Sequence, residues 1–366
     1  MTDRPNLFQP VKLGDLELPN RVLMAPLTRN RAQDDGTPVA MAETYYGQRA
    51  SAGLIFTEAT QVSAMGKGYI KTPGIYEQKH IDGWKKIVDS VHTNGGRIFM
   101  QLWHVGRISH TSLLPDGRNP VSSTDKAAEA MTYTHDGFEA TSKPDALTEA
   151  GIRETVADFV IGAKAAKSAG FDGIEVHAAN GYLLEQFLMD GVNDRTDAYG
   201  GSPENRLRIV NEILDAVSEI WPTNRIGIRL SPLGQFNDVT DSDPEAHFGY
   251  FIDELDKRGL GYLHMVEEAP GAETDAEQTA IMKRLRAKWS SFYIVNGGYT
   301  GNSAAQAVVE GHADAVAFGR AFIANPDLPK RLRLDATLNQ GDSDTYYGGT
   351  EKGYIDYPFL DVSDPE

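Results

Sequence analysis

The sequence feature that most constrains the fold is an eightfold alternation of short apolar segments with longer amphipathic ones. The short segments have the length and near-continuous apolar character of strands that are buried on both faces. The eight predicted strands are Arg21–Ala25, Leu54–Thr57, Arg97–Leu102, Gly173–His177, Ile226–Leu230, Tyr262–Val266, Phe292–Asn296 and Ala313–Phe318. Because each strand is followed by a helical segment, the pattern predicts an α/β fold with parallel strands, specifically a (β/α)8 TIM barrel.

The segments between the strands have helical periodicity and helix boundary signals. Ser202 and Pro203 are typical of an N-cap and a first helical residue, and Gly170 follows a predicted helix end. The predicted helices include Met41–Ala52, Ile81–Asn94, Glu149–Ala169, Pro203–Ile220, Glu245–Arg258 and Ser303–Glu310. A doubly wound sheet is disfavoured, because no Gly-x-Gly-x-x-Gly turn follows an early strand. We therefore expect a single barrel domain over residues 1–366.

Three segments lie outside the repeat. Phe8–Leu18 has the pattern of a short hairpin ahead of the first strand, and we expect it to plug the barrel floor. Residues 104–147 form a long insertion after the third strand, with a second hairpin predicted around Asp136 and Gly137. The Gly- and Tyr-rich tail, 341–366, has no helical pattern. The insertion and the tail are predicted to cover the active site as lids.

Composition excludes several classes of function. The 35 Lys and Arg against 52 Asp and Glu give a net charge of −17, which repels the phosphate backbone of nucleic acids. The chain contains no cysteine, which excludes disulfides, thiolate metal sites, iron–sulfur clusters and a cysteine nucleophile. No apolar run is long enough for a membrane span, and the N-terminus lacks a secretory signal. We expect a cytoplasmic protein, either a monomer or a small homo-oligomer.

In a parallel barrel, catalytic residues collect where the strands end. Glu175 and His177 lie on one face of a predicted strand, which leaves open a two-ligand metal site. No His-x-His or His-Glu-x-x-His motif is present among the nine histidines to complete such a site, so we assign no metal ligands. A metal-dependent barrel hydrolase or lyase that uses these two residues remains an alternative function.

The loops after the last two strands have the composition of a phosphate site. Gly297-Gly298 and Gly319-Arg320 are each predicted to open a helix, so that free backbone N–H groups face an anion. Each glycine pair alone is more simply explained as a turn. Their occurrence in neighbouring barrel loops favours phosphate binding, and hence a cofactor with a phosphate tail.

Two polar residues at strand ends are candidates for contact with a cofactor ring. Arg229 ends an otherwise apolar run, and a buried guanidinium requires a partner. That partner is either another strand, in a structural ion pair, or a ring that gains negative charge on reduction. Gln101 offers both donors and acceptors to the edge of such a ring.

His177, Asn180 and Tyr182 follow one strand within six positions. In a helical first turn, His177 and Asn180 would lie on one side and donate to a single oxygen. The Tyr182 phenol could then donate a proton. The three residues together indicate a catalytic site.

Three longer motifs resemble the Old Yellow Enzyme family of FMN-dependent ene-reductases. They are His177-Ala-Ala-Asn-Gly-Tyr182-Leu, Asp197-Ala-Tyr-Gly-Gly-Ser-Pro-Glu-Asn-Arg206 and Phe318-Gly-Arg-Ala-Phe-Ile-Ala-Asn-Pro326. The resemblance extends over nearly the whole chain and is strongest to the bacterial branch of pentaerythritol tetranitrate, glycerol trinitrate and N-ethylmaleimide reductases. It implies noncovalent FMN over the barrel mouth, with NADPH or NADH as the hydride donor.

The resemblance also implies roles for individual residues. Pro26, Leu27, Thr28 and Ala59 would line the isoalloxazine ring, Gln101 and Arg229 would meet its pyrimidine side, and Gly298, Gly319 and Arg320 would hold the phosphate. His177 and Asn180 would bind the carbonyl or nitro oxygen of the substrate, and Tyr182 would deliver the proton. Tyr69, Trp103 and Tyr347 would form the aromatic walls, although Tyr346 adjoins Tyr347 and a shift by one position is open.

The implied substrates are activated alkenes, including enones, maleimides and nitroalkenes, with nitrate esters and nitroaromatics as further candidates. Thr28 stands where one branch of the family carries cysteine, and Asn180 stands where some close relatives carry histidine. A flavin-binding protein without catalytic activity is the remaining alternative.

Overall fold

The computed structural model describes residues 4–267 and 276–361. Its strands are β1 (Val11–Leu13), β2 (Leu16–Leu18), β3 (Val22–Met24), β4 (Ile55–Phe56), β5 (Thr60–Gln61), β6 (Ile98–Trp103), β7 (Val121–Ser122), β8 (Met131–Thr134), β9 (Gly137–Ala140), β10 (Asp145–Ala146), β11 (Gly173–Ala178), β12 (Ile226–Leu230), β13 (Tyr262–Val266), β14 (Phe292–Asn296) and β15 (Ala315–Phe318). Its α-helices are α1 (Met41–Gly47), α2 (Gln78–Thr93), α3 (Glu149–Ala169), α4 (Leu183–Leu188), α5 (Pro203–Ser218), α6 (Pro244–Asp256), α7 (Ala276–Arg286), α8 (Gly301–Val309), α9 (Arg320–Ala324) and α10 (Leu328–Leu334).

Eight parallel strands close into a barrel, as the sequence predicts. Their order around the barrel is β3, β4, β6, β11, β12, β13, β14 and β15, and β15 pairs with β3 to complete the ring. Each predicted strand coincides with one of them, with boundaries that differ by no more than two residues. The fold is therefore a (β/α)8 TIM barrel, and the strand C-termini meet at one end. We call that end the barrel mouth.

The helices around the barrel begin and end where local sequence provides caps. The Thr148 side chain accepts a hydrogen bond from the Gly151 N–H at the start of α3, and Gly170 ends that helix with φ 91°. Ser202 caps α5 in the same way, ahead of Pro203. Apolar faces of these helices pack against the outer face of the barrel. No helix in the described ranges is long and apolar enough to cross a membrane.

The N-terminal hairpin closes the other end of the barrel. Antiparallel strands β1 and β2 place Leu13, Leu16 and Leu18 in the same buried cluster as Phe99 and Tyr262 from barrel strands. The turn of the hairpin is held to the barrel by an ion pair between the Asp15 carboxylate and Arg225, which lies immediately before β12. The floor is thus filled by side chains, and ligand access is from the mouth.

The long insertion and the tail both lie near the mouth. In the insertion, β8 and β9 form the predicted hairpin, and the Tyr133 carbonyl accepts a hydrogen bond from the Ile70 N–H. The tail is held by Arg29, just after β3, whose guanidinium donates to the carbonyls of Tyr346 and Gly353. The last five residues of the predicted tail, 362–366, lie outside the described residues.

Candidate active site

The segment after β11 is a left-handed turn and not the helical turn that we expected. Asn180 and Gly181 have φ of 59° and 75°, and α4 begins only after Tyr182, which is its N-cap. The helical prediction was wrong because contacts with Ser231 and Phe236, which are distant in sequence, hold these two residues in the left-handed conformation. An alanine Cβ at Gly181 would lie 2.3 Å from the Phe236 carbonyl oxygen, so this close approach of two loops requires glycine.

The side chains of Ser231 and Glu185 hold this turn through hydrogen bonds to its backbone N–H groups. The Asn180 N–H donates to Ser231 Oγ at 2.8 Å, and the Gly181 N–H donates to the Glu185 carboxyl. Ser231 Oγ in turn donates to the same carboxyl group. Burial raises the pKa of Glu185 to about 8, against the opposing effect of these hydrogen bonds. Glu185 and Ser231 thus tie the ends of β11 and β12 together.

The His177 imidazole lies at the barrel mouth as a neutral group. Its Nδ1 is buried and has no hydrogen-bond partner among the described residues. Burial, together with the positive charge of Arg229, lowers the pKa of His177 well below its usual value. The ring therefore carries one N–H and acts as a hydrogen-bond donor without a charge.

Aromatic side chains surround His177 and Tyr182. The Tyr182 ring packs edge-on against Trp103 at 5.0 Å and against His177 at 5.3 Å between ring centroids. Tyr69 stacks on Trp103, and its hydroxyl lies 3.2 Å from the Tyr182 hydroxyl. Trp103 is fully buried, so it supports these rings from behind.

The two phenols at the site are held in their protonated form. Burial raises the pKa of Tyr182 well above its usual value and that of Tyr69 to about 12. Tyr347 lies near both, since it is among the groups that raise these pKa values, and its side chain is 61% exposed. Tyr346 is directed into the tail instead, with its hydroxyl beside Gly341.

A row of buried polar side chains crosses the barrel below the mouth, and we call it the polar row. Gln101 Nε2 donates to Glu175 Oε1 at 2.7 Å, and Glu175 Oε2 lies 2.8 Å from His264 Nδ1. Arg229 Nη1 lies 2.6 Å from His264 Nε2, and Arg229 Nη2 donates to Asn296 at 2.6 Å. Arg229 therefore has hydrogen-bond partners on the two following strands, and neither partner is the carboxylate of the ion pair that the sequence left open.

The polar row bears on the metal hypothesis. Both oxygens of Glu175 are engaged, one by Gln101 and the other by His264. Among the described residues, no hydrogen bond or ion pair joins Glu175 to His177. Within the described ranges, the group of side chains close enough to share a metal is Asp190, Asp241 and His247, where Arg206 already pairs with Asp241. The geometry therefore gives no support to metal chemistry at Glu175 and His177.

The two glycine loops lie at the ends of neighbouring strands, β14 and β15. Gly319 is the N-cap of α9, which begins at Arg320 as predicted. The prediction for the other loop was wrong in part, because Gly297 and Gly298 precede the N-cap Thr300 and do not open α8 directly. Gly297 and Gly298 have positive φ, 149° and 71° respectively. Gly298 and Arg320 are exposed. An anion at this point would meet open backbone from two adjacent strands.

The first two strands bring smaller groups to the mouth. Pro26, Leu27 and Thr28 are half-buried after β3, and the Gly319 backbone lies beside the Leu27 side chain. Ala59 is buried after β4, next to Glu58, a strand-end carboxyl to which the sequence analysis gave no role. Burial raises the pKa of Glu58 to about 7, despite hydrogen bonds from the Arg29 N–H and the Tyr46 hydroxyl.

Other residues at the site were also missed by the sequence analysis. Asn237 donates to the Asn180 carbonyl at 2.8 Å, and His264 and Glu185 make the contacts described above. Glu185 carried a signal, since it is the acid in the apolar run Leu183-Leu-Glu-Gln-Phe-Leu. His264 carried one too, as a polar residue at an inward position of an apolar strand. Asn237 lies in an irregular loop and carried none.

The fold and the site together define a class of protein. A closed parallel barrel has its polar and aromatic residues at the strand C-termini, where TIM-barrel enzymes carry their active sites. Residues 6–339 match the NADH:flavin oxidoreductase / NADH oxidase family. The chain belongs to this family, the FMN-dependent oxidoreductases of the Old Yellow Enzyme type.

Individual relatives agree with this assignment. The chain is 46% identical over 364 residues to 12-oxophytodienoate reductase 1 of Oryza sativa subsp. japonica, covering 98% of this chain and 94% of the rice protein. It is 42% identical over 361 residues to 12-oxophytodienoate reductase 2 of Arabidopsis thaliana, covering 97% and 96%. The solved structure of morphinone reductase in complex with tetrahydroNAD has a TM-score of 0.91 and 48% identity, with 98% of both chains covered. The family prediction is confirmed, and the narrower resemblance to the pentaerythritol tetranitrate reductase branch stays a prediction.

The residues at the mouth fit FMN. Gln101 Oε1 has no protein partner among the described residues, so the amide keeps an acceptor for a ring N–H. The buried Nδ1 of His177 without a partner marks the mouth as a site that a ligand completes. The exposed backbone at Gly298, the half-buried Gly319 and the exposed Arg320 side chain supply donors suited to a phosphate.

Proposed function

We propose that this protein is an NAD(P)H-dependent ene-reductase, which uses FMN to reduce the C=C bond of activated alkenes. Enones, maleimides and nitroalkenes are the substrate class, and nitrate esters and nitroaromatics are further candidates. Either NADPH or NADH serves as the hydride donor. When bound, FMN would supply the hydride chemistry that links oxidation of the nicotinamide to reduction of the alkene.

Residues from several strands hold the cofactor in this proposal. Gln101 and Arg229 contact the pyrimidine side of the ring, where the Arg229 guanidinium offsets the negative charge that reduction adds. Gly298, Gly319 and Arg320 bind the phosphate through backbone N–H groups and a guanidinium. The half-buried Pro26, Leu27 and Thr28, together with Ala59, line the ring.

His177 and Asn180 bind the carbonyl or nitro oxygen of the substrate. The neutral imidazole and the amide each donate one hydrogen bond to this oxygen, which gains negative charge as the hydride arrives. Donors that are already in place stabilise such charge strongly, because they need no reorganisation during the reaction. The Asn180 N–H donates to Ser231 and the Asn180 carbonyl accepts from Asn237; these two hydrogen bonds support this role, since they fix the backbone of the turn.

Tyr182 delivers a proton to the α-carbon. Its raised pKa keeps the phenol protonated at neutral pH, as an acid must be before transfer. Tyr69 supports the role, since its hydroxyl lies within hydrogen-bond distance of the Tyr182 hydroxyl. Tyr69, Trp103 and Tyr347 form the aromatic walls, with Trp103 behind the other rings.

The observation that carries the proposal is the convergence of His177, Tyr182 and Tyr69 at the mouth, on one side of the Asn180 turn. The test is a variant with both His177→Ala and Asn180→Ala. We expect FMN to remain bound, while a phenol, which presents one oxygen to both donors, binds at least tenfold more weakly. Removal of one such donor typically slows turnover by about 10²–10³-fold, so enone reduction should fall by at least this factor.

Absorbance titrations and steady-state kinetics give these values. Enone turnover and phenol affinity equal to those of the unmodified protein would remove His177 and Asn180 from the substrate site. Loss of the flavin from the variant would instead place these residues in cofactor binding.

A further inference from the structure

Glu175 is the buried acid in the centre of the polar row, and the proposed function gives it no role. Glu175 and His264 are 0% exposed, and Gln101 and Arg229 are nearly so. Burial of a carboxylate is costly unless donors and a counter-charge offset it. Gln101 and His264 donate hydrogen bonds to Glu175, and Arg229 supplies the counter-charge. Two of these three, Gln101 and Arg229, are the residues that we place against the flavin ring.

The hydrogen-bond directions along the row follow from chemistry alone. An arginine is always a donor, so His264 Nε2 must accept from Arg229. His264 is then neutral with its proton on Nδ1, which donates to Glu175. Burial and the Arg229 charge lower the pKa of His264 to about 4, in agreement with this state. Burial raises the pKa of Glu175, but His264, Arg229 and Gln101 outweigh it, so that the carboxyl is ionised.

An ionised Glu175 fixes the orientation of two groups at once. A carboxylate only accepts hydrogen bonds, so Gln101 must turn its NH2 group toward Glu175 and its Oε1 away from it. Through neutral His264, the same carboxylate holds the Arg229 guanidinium, whose other nitrogen is bound by Asn296. The hydrogen bonds of the polar row can therefore all form in only one arrangement. In it, Gln101 has a free acceptor oxygen and Arg229 carries a positive charge.

We propose that Glu175 is a positioning residue that sets both the affinity for FMN and its redox potential. It presents Gln101 Oε1 to the N–H of the flavin pyrimidine ring, and it places a fixed negative charge below Arg229. This charge partly offsets the stabilisation that Arg229 gives to the reduced ring. The inference rests on the proposed position of FMN against Gln101 and Arg229.

The first test is Glu175→Gln, which keeps the size of the side chain and removes its charge. The introduced amide can accept from only one neighbour, and the His264 side is fixed by Arg229. Gln101 must then flip and present its NH2 group to the ring N–H, so we expect FMN to bind about tenfold more weakly. Loss of the charge should raise the ratio of affinities for reduced and oxidised FMN about tenfold, which is an upward shift of about 30 mV in the two-electron midpoint potential.

A double variant distinguishes an effect on the orientation of the Gln101 side chain from a general loss of structure at the site. In Gln101→Glu combined with Glu175→Gln, the carboxylate and the amide exchange places, and the pair is again complementary. We expect this exchange to restore FMN affinity to within about threefold of the unmodified protein. Asp172→Asn is the control, since it changes a carboxyl to an amide immediately before β11, at the end of the barrel opposite the mouth, where Asp172 contacts the Ile98 N–H and His92. It should leave FMN affinity and potential unchanged.

Fluorescence titration of apoprotein with FMN gives the affinity, and dye-equilibrated reduction gives the potential. An unmodified protein that binds no FMN would overturn the proposed function itself. Normal FMN binding with no change of affinity or potential in Glu175→Gln would overturn the inference alone. So would a double variant that binds FMN no better than the single one.

A measurement on the unmodified protein covers the case in which Glu175→Gln does not fold. FMN methylated at the pyrimidine N–H lacks the donor that Gln101 Oε1 accepts, so it should bind at least tenfold more weakly than FMN. Equal binding of the two flavins would contradict the orientation that we assign to Gln101.

Discussion

At the scale of single residues, Tyr182, the proton donor that we propose, lies next to a second phenol, Tyr69. The Tyr182 hydroxyl is 3.2 Å from that of Tyr69, and both rings pack on Trp103. Burial keeps the phenols protonated. The two tyrosines are matched in chemistry and environment, and only Tyr182 follows the turn that carries Asn180. Substitution of each by phenylalanine therefore separates proton delivery from packing.

We predict that Tyr182→Phe slows the half-reaction with the alkene by about 10²-fold or more, the usual contribution of a positioned acid. Reduction of the flavin by NADPH should change by less than about threefold, because that step needs no proton from Tyr182. Tyr69→Phe is the control and should slow the alkene step far less. Stopped-flow absorbance measures both steps, and a larger effect of Tyr182→Phe on flavin reduction would contradict the assignment.

Gly181 provides a second test at this scale. Its φ of 75° and its contact with the Phe236 carbonyl leave no room for a side chain, whereas Gly95, with φ 78°, has open space around it. We expect Gly181→Ala to displace the turn and lower kcat/KM for an enone at least tenfold. Gly95→Ala should cost about 1 kcal/mol of stability, from the same backbone strain, and leave kcat/KM unchanged. Similar kinetics in the two variants would show that the turn tolerates displacement.

At the scale of elements, two arginines that follow β3, Arg29 and Arg31, donate to carbonyls of the tail, and Arg29 is the more deeply buried of the two. The Arg29 guanidinium donates to the Tyr346 and Gly353 carbonyls and lies over the Tyr45 and Tyr354 rings, 5.1 Å from each centroid. Its own carbonyl accepts from the Gly348 N–H, next to Tyr347. A planar group with several donors is needed here, and lysine cannot replace it.

We predict that Arg29→Lys releases the tail without unfolding the barrel. Limited trypsin digestion should cut the tail at least several-fold faster than in the unmodified protein, while the far-UV circular dichroism is unchanged. Arg118→Lys, at an exposed position of the insertion, is the control. An unchanged cleavage rate, followed by mass spectrometry, would mean that other contacts hold the tail.

Elements of regular structure were the part of the molecule that the sequence predicted best. The strand Ile226–Leu230 has the predicted boundaries because a run that is apolar except for Arg229 is stable as a strand buried on both faces. The turn at Asn180 was predicted as helical, since its left-handed backbone depends on contacts with Ser231 and Phe236, which are distant in sequence. The polar row could not be assembled for the same reason: its members come from five strands, and their register is a property of the closed barrel.

At the scale of the whole molecule, two buried carboxyls make stability depend on pH. The pKa of Glu58 is raised to about 7 and that of Glu185 to about 8, so the folded protein retains protons that the unfolded chain has already released. The free energy of unfolding should therefore fall as the pH rises, until both groups are ionised. Buried His104 and His264, with pKa values lowered to about 4, act in the opposite direction, chiefly below the usual histidine pKa of about 6.5.

Between pH 7 and 8 we predict a loss of about 1 kcal/mol in the free energy of unfolding, since roughly one proton is released on unfolding. Glu185→Gln should remove most of this slope, and the exposed Glu310→Gln should not. Urea unfolding at a constant FMN concentration gives the free energies. A stability that rises from pH 7 to 8, or a slope that Glu185→Gln leaves intact, would contradict the protonation states assigned here.

The central claim is that the barrel mouth holds an FMN that passes electrons from a nicotinamide to an alkene. Anaerobic absorbance of the FMN-loaded protein tests it most directly, with NADPH or NADH added first and 2-cyclohexenone second. We predict that the nicotinamide bleaches the flavin band and that the enone restores it, with one saturated ketone formed for each flavin reoxidised. A flavin that the nicotinamide does not bleach, or that stays bleached after the enone is added, would contradict the account.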